Sequence, residues 1–328
     1  MRRRAFISLL GGAAAWPLAA RAQQGERMRR IGVLLPAAAD NPEFQTRVGA
    51  FLQALALSGW TIGRNVRIDT RWATTNAADI RRHAAELVAL APDVILAAGS
   101  GAATPLLQAT RSVPIVFAHV PDPVGAGLVN SLARPGGNVT GFTSFEYGMG
   151  GKWLELLKQI APGVKRAAVI RDPAITAGIG QWGAINAVAP SVGLEVIPMN
   201  VRDADDIEHA VAAFARGAND GLIVTGSGLA VLHRDLIVSL AARHKLPTVY
   251  YDRYFVAAGG LISYGPDYLE IYRQAAGYVD RILKGENPAD LPVQAPVKYQ
   301  TAVNLKTAKT LGIEVPVTLL ARADEVIE

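Results

Sequence analysis

Two stretches of this chain contain the same tripeptide: "VILAAGSGAAT" at residues 94–104 and "LIVTGSGLAV" at residues 222–231. Each is an apolar run, typical of a buried strand, that passes through Gly-Ser-Gly into helix-forming sequence. In parallel α/β sheets, ligands bind beyond the carboxyl ends of the strands, where such turns bring backbone N–H groups close. The two stretches therefore predict two turns that face a ligand.

The sequence around the two turns repeats at a constant spacing. Asp206 follows Asp79 by 127 positions, and Gly226 follows Gly99 by the same 127 positions. The offset is kept through a predicted helix, a strand and a turn. This constancy indicates two lobes that share one architecture.

Strand-like and helix-like segments alternate in both halves, which predicts an α/β fold with parallel sheets. The predicted strands are "RRIGVLLP", "NVRIDTRWA", "DVILAAG" and "VPIVFAHV", then "VKRAAVIRD", "GLEVIPMN", "DGLIVTG" and "LPTVYYD". Two further strands, "GGLISYG" and "VKYQTAVN", flank a long predicted helix from Tyr268 to Leu283. We expect this last part to return to the first lobe and cross again.

The expected fold is thus two doubly wound, Rossmann-like lobes with parallel sheets, joined by a multi-strand hinge. The turn residues of "LARPGGNVTGFTS" place the first crossing near Thr143 and Ser144. Lobe one is expected at residues 23–142 with about 265–298. Lobe two is expected at residues 143–264 with about 299–328.

The first 22 residues, "MRRRAFISLLGGAAAWPLAARA", match an export signal with a basic start, an apolar middle and small residues at its end. Arg3-Arg4 resembles a twin-arginine signal, with general secretion as the alternative. The apolar run is too short for a membrane span. Cleavage near Ala22 would leave a mature protein that begins at Gln23 in the periplasm of a two-membrane bacterium.

The charge and the missing cysteines exclude several classes of function. Loss of the four signal arginines lowers the formal net charge from +5 to +1, so electrostatics give no reason for nucleic-acid binding. The chain has no cysteine, which excludes disulfides, thiolate metal sites, cysteine nucleophiles and a lipid-modified N-terminal cysteine.

The motifs of nucleotide-binding proteins and hydrolases match poorly. Gly99-x-Gly101-x-x-Thr104 resembles a dinucleotide fingerprint, but it follows the third predicted strand and has threonine where glycine or alanine is needed. "MGGKW" has tryptophan in place of the P-loop Ser or Thr. Gly-x-Ser-x-Gly and His-Glu-x-x-His are absent from the sequence. We therefore predict no catalytic residue, no cofactor and no metal.

Polar residues at the predicted strand ends define the candidate site. Helix-start N–H groups at Ser100 would favour a carboxylate, although Ser100 could instead only cap its helix. Asp172 and Asp252 could each pair with an ammonium group or serve a turn or cap. Arg171 could clamp a carboxylate or lie on the surface, and His119 could contact ligand or be structural. The predicted ligand contacts are Pro36, Gly99, Ser100, Gly101, His119, Ser144, Arg171, Asp172, Thr225, Ser227, Tyr251 and Asp252.

Three long segments carry a family resemblance that covers nearly the whole chain from Arg30 onward. They are "VPIVFAHVPDPVGAGLVNSLARPGGNVTGFTS", "GGLISYGPDYLEIYRQAAGYVDRILKGENPADLPVQAPVKYQTAVNLKTAKTLGI" and "ARADEVIE". They strongly resemble the ABC-transporter substrate-binding proteins related to the tryptophan/tyrosine-type transporters. The resemblance implies a type I periplasmic-binding-protein fold, with an ABC permease and its ATPase as partners. It also implies a ligand carboxylate at Ser100 with Gly101, and a ligand ammonium at Asp252 or Asp172.

The expected function is the periplasmic solute-binding component of an ABC importer. We expect a monomer that closes its lobes around a small carboxylate-bearing solute, either an amino acid or an aromatic or organic acid. One alternative is a periplasmic sensor subunit that presents its ligand to a receptor kinase. Another is an exported Rossmann-like enzyme.

Overall fold

The computed structural model describes residues 27–73, 76–146, 148–215, 217 and 219–328. The predicted export signal at residues 1–22 lies outside the described residues. The described chain forms two α/β lobes, each built on one sheet. Within this part of the chain, no helix is both long and apolar enough to cross a membrane.

Lobe one is built on five parallel strands in the order β2-β1-β3-β4-β5. The strands are β1 (Arg29–Leu35), β2 (Val66–Trp72), β3 (Val94–Ala98), β4 (Ile115–Val120) and β5 (Val139–Thr143). Its first helices are α1 (Pro42–Leu57), α2 (Ala77–Ala89) and α3 (Gly99–Ala109). All five residues of β3 are buried and apolar, as expected for a parallel strand covered on both faces. The strand order reverses between β1 and β3, where doubly wound sheets open a crevice.

Lobe two is built on seven strands in the order β12-β11-β10-β9-β8-β6-β7. These are β6 (Arg166–Arg171), β7 (Glu195–Asn200), β8 (Asp220–Val224), β9 (Thr248–Tyr250), β10 (Ile262–Pro266), β11 (Tyr299–Asn304) and β12 (Glu325–Ile327). Neighbouring strands are parallel except β10 and β11, which pair antiparallel. The helices after β5 are α4 (Gly148–Ile160), α5 (Thr176–Val188), α6 (Ala204–Phe214), α7 (Gly228–Leu232), α8 (Arg234–Arg243), α9 (Arg253–Ala257), α10 (Tyr268–Leu283), α11 (Leu305–Leu311) and α12 (Val317–Leu320). Short 3-10 helices lie at Ala189–Val192 and Pro288–Asp290.

Helix α10 belongs to lobe one although it follows a strand of lobe two. It packs against α1 and β4 and buries Tyr272, Ala275 and Val279 completely in the lobe-one core. Asp267 caps its start by accepting the N–H groups of Leu269 and Glu270. Among the described residues, connections after β5, between β10 and α10, and before β11 therefore join the lobes. This arrangement confirms the predicted multi-strand hinge.

Strand β5 lies where the sequence indicated only a connection. Its five residues are buried and pair in parallel with β4. The run "VTGFT" contains two threonines and a glycine, so it lacks the continuous apolar pattern of the other buried strands. That composition explains why the strand was missed.

The predicted repeat is present in the two lobes. Helices α2 and α6 begin 127 positions apart, and Asn76 and Asp203 cap them from equivalent positions. The two Gly-Ser-Gly segments nevertheless differ. Helix α3 begins at Gly99 itself, directly after Ala98, without a side-chain cap, so the alternative in which Ser100 caps its helix is wrong.

In lobe two the corresponding serine is the helix cap. Ser227 accepts the N–H of Ala230 at 3.0 Å and starts α7. Before it, the backbone N–H and the hydroxyl of Thr225 both bond to the carbonyl of Ile170, at 3.1 and 2.7 Å. These bonds keep the chain extended beyond β8, so the helix begins later than it does in lobe one.

Candidate functional site

A buried ion pair joins the two lobes. Arg47 of α1 places Nη2 3.1 Å from Oδ2 of Asp252, which follows β9, and both side chains are 6% exposed. Asp252 also caps α9, where its Oδ1 accepts the N–H of Tyr254 at 3.0 Å. The carboxyl end of the lobe-two sheet therefore lies against α1 of lobe one.

Arg47 is surrounded by groups that stabilise its charge. Glu43 lies 3.3 Å from its Nη2, and the guanidinium packs over the ring of Tyr268 at 4.3 Å from the centroid. Burial opposes the charge, but Asp252 and Glu43 outweigh it and raise the pKa of Arg47 above its usual range. At Asp252 burial is the largest influence and raises the pKa of the carboxyl, against the opposing effect of Arg47.

The charged contacts continue to the outer part of lobe two. Arg253 holds Glu325 with two hydrogen bonds of 2.7 and 2.8 Å and lies 3.8 Å from Glu43. We call Glu43, Arg47, Asp252, Arg253 and Glu325 the interlobe ion cluster. Sequence reasoning found only Asp252 of this cluster.

The sequence did contain a signal for Arg47. The predicted helix after "LLPAAADNPEF" has its apolar face at Phe44, Val48, Phe51 and Leu55, and Arg47 falls on that same face. A charged residue on a buried helical face requires a partner. The partner is 205 positions away in the sequence, so periodicity alone could not identify it.

In lobe one, the structure brings His119, Gly99 and Ser144 together. His119 has a φ of 51° within β4, and its ring stacks on Tyr272 with centroids 5.8 Å apart. A Cβ on Gly99 would lie 3.1 Å from His119 Cε1, so the glycine leaves room for the ring at the start of α3. The hydroxyl of Ser144 donates to the carbonyl of His119 at 3.1 Å.

The charge state of His119 follows from this setting. Burial, and after it the charge of Arg47, lowers the pKa of His119 to about 3, so the imidazole is neutral at pH 7. Its Nε2 is buried and has no hydrogen-bond partner among the described residues. A neutral imidazole in this position suits a polar, uncharged contact.

Several predicted residues of lobe two are engaged in local structure. Thr225 bonds to Ile170, and Ser227 caps α7, as described above. Asp172 accepts the N–H of Ala174 at 2.9 Å, and Arg171 donates to Asn200 at 2.6 Å. These contacts fix the backbone at the carboxyl ends of β6 and β8.

The other predicted residues are Ser100, Gly101, Pro36 and Tyr251, and in the part of the chain that the structure describes they are not held by the kind of hydrogen bond just given. Ser100 is half-buried, and its hydroxyl makes no hydrogen bond to the residues that the structure describes. Gly101 is exposed in the first turn of α3, and Pro36 is half-buried directly after β1. Tyr251 is 8% exposed and packs against Phe255 and close to Gly226. Within the described ranges, no group of three or more histidine or acidic residues could hold a metal ion.

The two Rossmann-like lobes, their strand orders and their three connections define the type I periplasmic-binding-protein fold. The chain belongs to the ABC transporter substrate binding protein family, whose model matches residues 31–327. This is a family of solute-binding proteins.

Individual relatives agree with this assignment. The chain is 28% identical over 275 residues to a tyrosine-binding protein of Clostridioides difficile (strain R20291), a match that spans 84% of this chain and 79% of that protein. A crystal structure from Streptococcus pneumonia in complex with L-Trp is 27% identical, with a TM-score of 0.84 over 92% of this chain and 100% of that one. The ligand-free, open structure of a Clostridium difficile substrate-binding protein with adhesive properties is 26% identical, with a TM-score of 0.72 over 92% of this chain and 99% of that one.

Proposed function

We propose that this protein is the solute-binding component of an ABC importer and that it captures an aromatic amino acid or a closely related carboxylate between its lobes. The observation that carries the proposal is the start of α3, which begins at Gly99 without a side-chain cap. The first N–H groups of a helix have no partner within the helix and carry partial positive charge. The unpaired hydroxyl of Ser100 adds another donor at the same place.

This group of donors suits a carboxylate. Backbone N–H groups at a helix start bind anions without a charged side chain, and Ser100 with Gly101 would supply them here. For the ammonium group we favour Asp172, since Asp252 already has Arg47 as its partner. Asp252 would take that role only if Arg47 released it. Two relatives at 28% and 27% identity are named for tyrosine and crystallised with L-Trp, which supports an aromatic side chain.

Closure of the lobes would couple ligand binding to transport. At nearly equal sequence identity, the chain superimposes better on the L-Trp complex than on the ligand-free, open structure, with TM-scores of 0.84 and 0.72. The buried Arg47–Asp252 contact across the lobes agrees with a closed arrangement. We propose that ligand favours this arrangement and that an ABC permease with its ATPase recognises it, in the periplasm, with a monomeric binding protein cleaved near Ala22.

The proposal is tested by calorimetric titration with tyrosine, tryptophan and phenylalanine, preceded by mass spectrometry of any ligand released from the denatured protein. Replacement of Ser100 with alanine removes a hydrogen bond to a charged group, which should weaken binding roughly tenfold to hundredfold. Ser58→Ala is the matched control, because Ser58 is an exposed serine of lobe one that bonds only to its own helix. Chemical turnover of the ligand, or equal affinity in wild type and Ser100→Ala, would contradict the proposal.

A further inference from the structure

A buried glutamine of lobe two has an unused hydrogen-bonding group. Gln181 of α5 is 2% exposed, and its amide oxygen Oε1 is completely buried without a partner among the described residues. An unpaired buried oxygen costs free energy, and native structures keep few of them. Gln181 therefore requires an explanation other than packing.

On the buried face of α5, the polar side chain of Gln181 differs from its neighbours. The buried residues of this helix are Ala177, Gly178, Gln181 and Ile185, and the other three are small or apolar. A leucine or methionine would fill the position of Gln181 at no polar cost. The amide is thus not needed to anchor the helix.

Gln181 lies at the carboxyl edge of the lobe-two sheet. Helix α5 follows β6, and Gly178 fits directly against the backbone carbonyl of Asp172, which fixes the first turn at that edge. One turn later, Gln181 reaches the loops after β8 and β9. A Cβ on Gly226 would lie 3.7 Å from Gln181 Nε2 and 3.3 Å from Tyr251 Cδ2.

This position is part of the proposed cleft. Tyr251 directly precedes Asp252, the residue that meets Arg47 of lobe one. Gly226 has no side chain to cover the amide, and the ring of Tyr251 forms an aromatic wall beside it. Gln181 takes no part in the interlobe ion cluster, and the two neighbours that the structure places beside its amide, Gly226 and Tyr251, are uncharged.

We propose that Gln181 forms a hydrogen bond with a neutral polar group on the ring of the ligand, a phenolic hydroxyl or a ring N–H, and so selects among aromatic ligands. This inference rests on the proposed function. A carboxamide offers an acceptor and donors but no charge, so it suits an uncharged group at the end of an apolar body. A site built to bond such a group rejects an analogue without it, since the amide then remains unpaired.

The test compares the affinities for tyrosine, tryptophan and phenylalanine by calorimetry. Wild type should bind tyrosine or tryptophan at least roughly tenfold more tightly than phenylalanine, the factor expected of one well-placed hydrogen bond in an apolar site. Gln181→Leu should bring the affinities to within about threefold, mainly by weakening the preferred ligand. Gln159→Leu is the matched control, because Gln159 is an exposed glutamine of α4 in the same lobe and should leave the preference unchanged.

The melting temperature of the ligand-free protein is the second readout. It should stay equal or rise in Gln181→Leu, because the substitution removes an unpaired buried polar group. A lower melting temperature with an unchanged preference would show a structural role and overturn the inference. Gln181→Met, which keeps the unbranched chain, replaces the leucine variant if the latter does not fold.

The two proposals fail in different ways. If wild type binds aromatic amino acids but Gln181→Leu and Gln181→Met keep its preference, only the role of Gln181 is overturned. If wild type binds none of the three amino acids, the proposed function fails and the role of Gln181 fails with it.

Discussion

Arg47 and Asp252 already neutralise each other's charge, so a ligand that used either charge would first have to separate them. The two side chains satisfy each other across the lobes at 3.1 Å, and Glu43 and the ring of Tyr268 complete the surroundings of the guanidinium. Removing Arg47 would leave the buried Asp252 carboxylate without its cation, which is more costly than the net gain from the pair itself. A ligand ammonium at Asp252 would therefore have to displace Arg47, whereas Asp172 can accept one without such a loss.

His119 gives the protein a pH dependence that can be measured. Its pKa is lowered to about 3 in the folded state, whereas an unfolded histidine titrates near about 6.5. Between these values the unfolded chain binds the extra proton, so stability falls as the pH falls from about 6.5 toward 3. His119→Asn, which suits the positive φ at this position, should be less stable than wild type at pH 7, with a difference that shrinks in acid.

Urea unfolding of both proteins at several pH values between 7 and 4 provides the measurement. The comparison isolates His119 because the groups that surround its imidazole, Arg47 of α1 and the rings of Tyr268 and Tyr272 from α10, are the same residues in both proteins. A difference in unfolding free energy that stays constant over this range would contradict a neutral, buried His119.

At the scale of elements, two of the three glycines of α5, Gly178 and Gly183, differ in the space around them. A Cβ on Gly178 would collide with the backbone carbonyl of Asp172, whereas a Cβ on Gly183 would meet nothing within 4 Å. Gly178→Ala should therefore destabilise the protein by about 1–3 kcal/mol, as overpacking does. Gly183→Ala should stabilise it by about 0.5–1 kcal/mol, because alanine is the better helix former.

Thermal unfolding of the two variants tests this pair, with calorimetric titration alongside. Gly178→Ala should also weaken ligand binding, since it moves the end of β6 away from α5 near Asp172 and Gln181. Equal stabilities for the two variants would show that α5 is free to shift, and would remove the basis for a fixed Gln181.

Most elements could be predicted from the sequence because their patterns are local. Buried parallel strands such as β3 and β8 are short apolar runs, and α10 shows a regular helical periodicity that ends before Gly285. Strand β5 was missed because its threonines and glycine resemble a turn. Arg47 was missed as a site residue because its role depends on a contact with Asp252, which no local pattern encodes.

The sequence was less informative about the site, because the roles of the site residues also depend on contacts between distant segments. Ser100 and Ser227 lie in identical tripeptides, yet only Ser227 caps a helix. The difference arises from Thr225, whose two bonds to Ile170 delay the start of α7. Gln181 was missed because a glutamine within a helix looks like a surface residue until its burial is known.

At the scale of the whole molecule, the proposed closure predicts a change in size without a change in secondary structure. Lobes joined by three connections can rotate as rigid bodies about the hinge. Saturating ligand should lower the radius of gyration in small-angle scattering, while far-ultraviolet circular dichroism stays the same. An unchanged radius at saturating ligand would contradict the closure mechanism.

The return of α10 to lobe one has a consequence for how the chain acquires its structure during synthesis. The strands of lobe one are complete once Thr143 has been made, but the helix that covers β4 ends only at Leu283. Lobe two, in turn, lacks β11 until Asn304. On a growing polypeptide, lobe one therefore cannot cover β4 before Leu283 has been made, and lobe two cannot pair β10 with β11 before Asn304 has been made. The two lobes therefore complete their cores at nearly the same stage of synthesis.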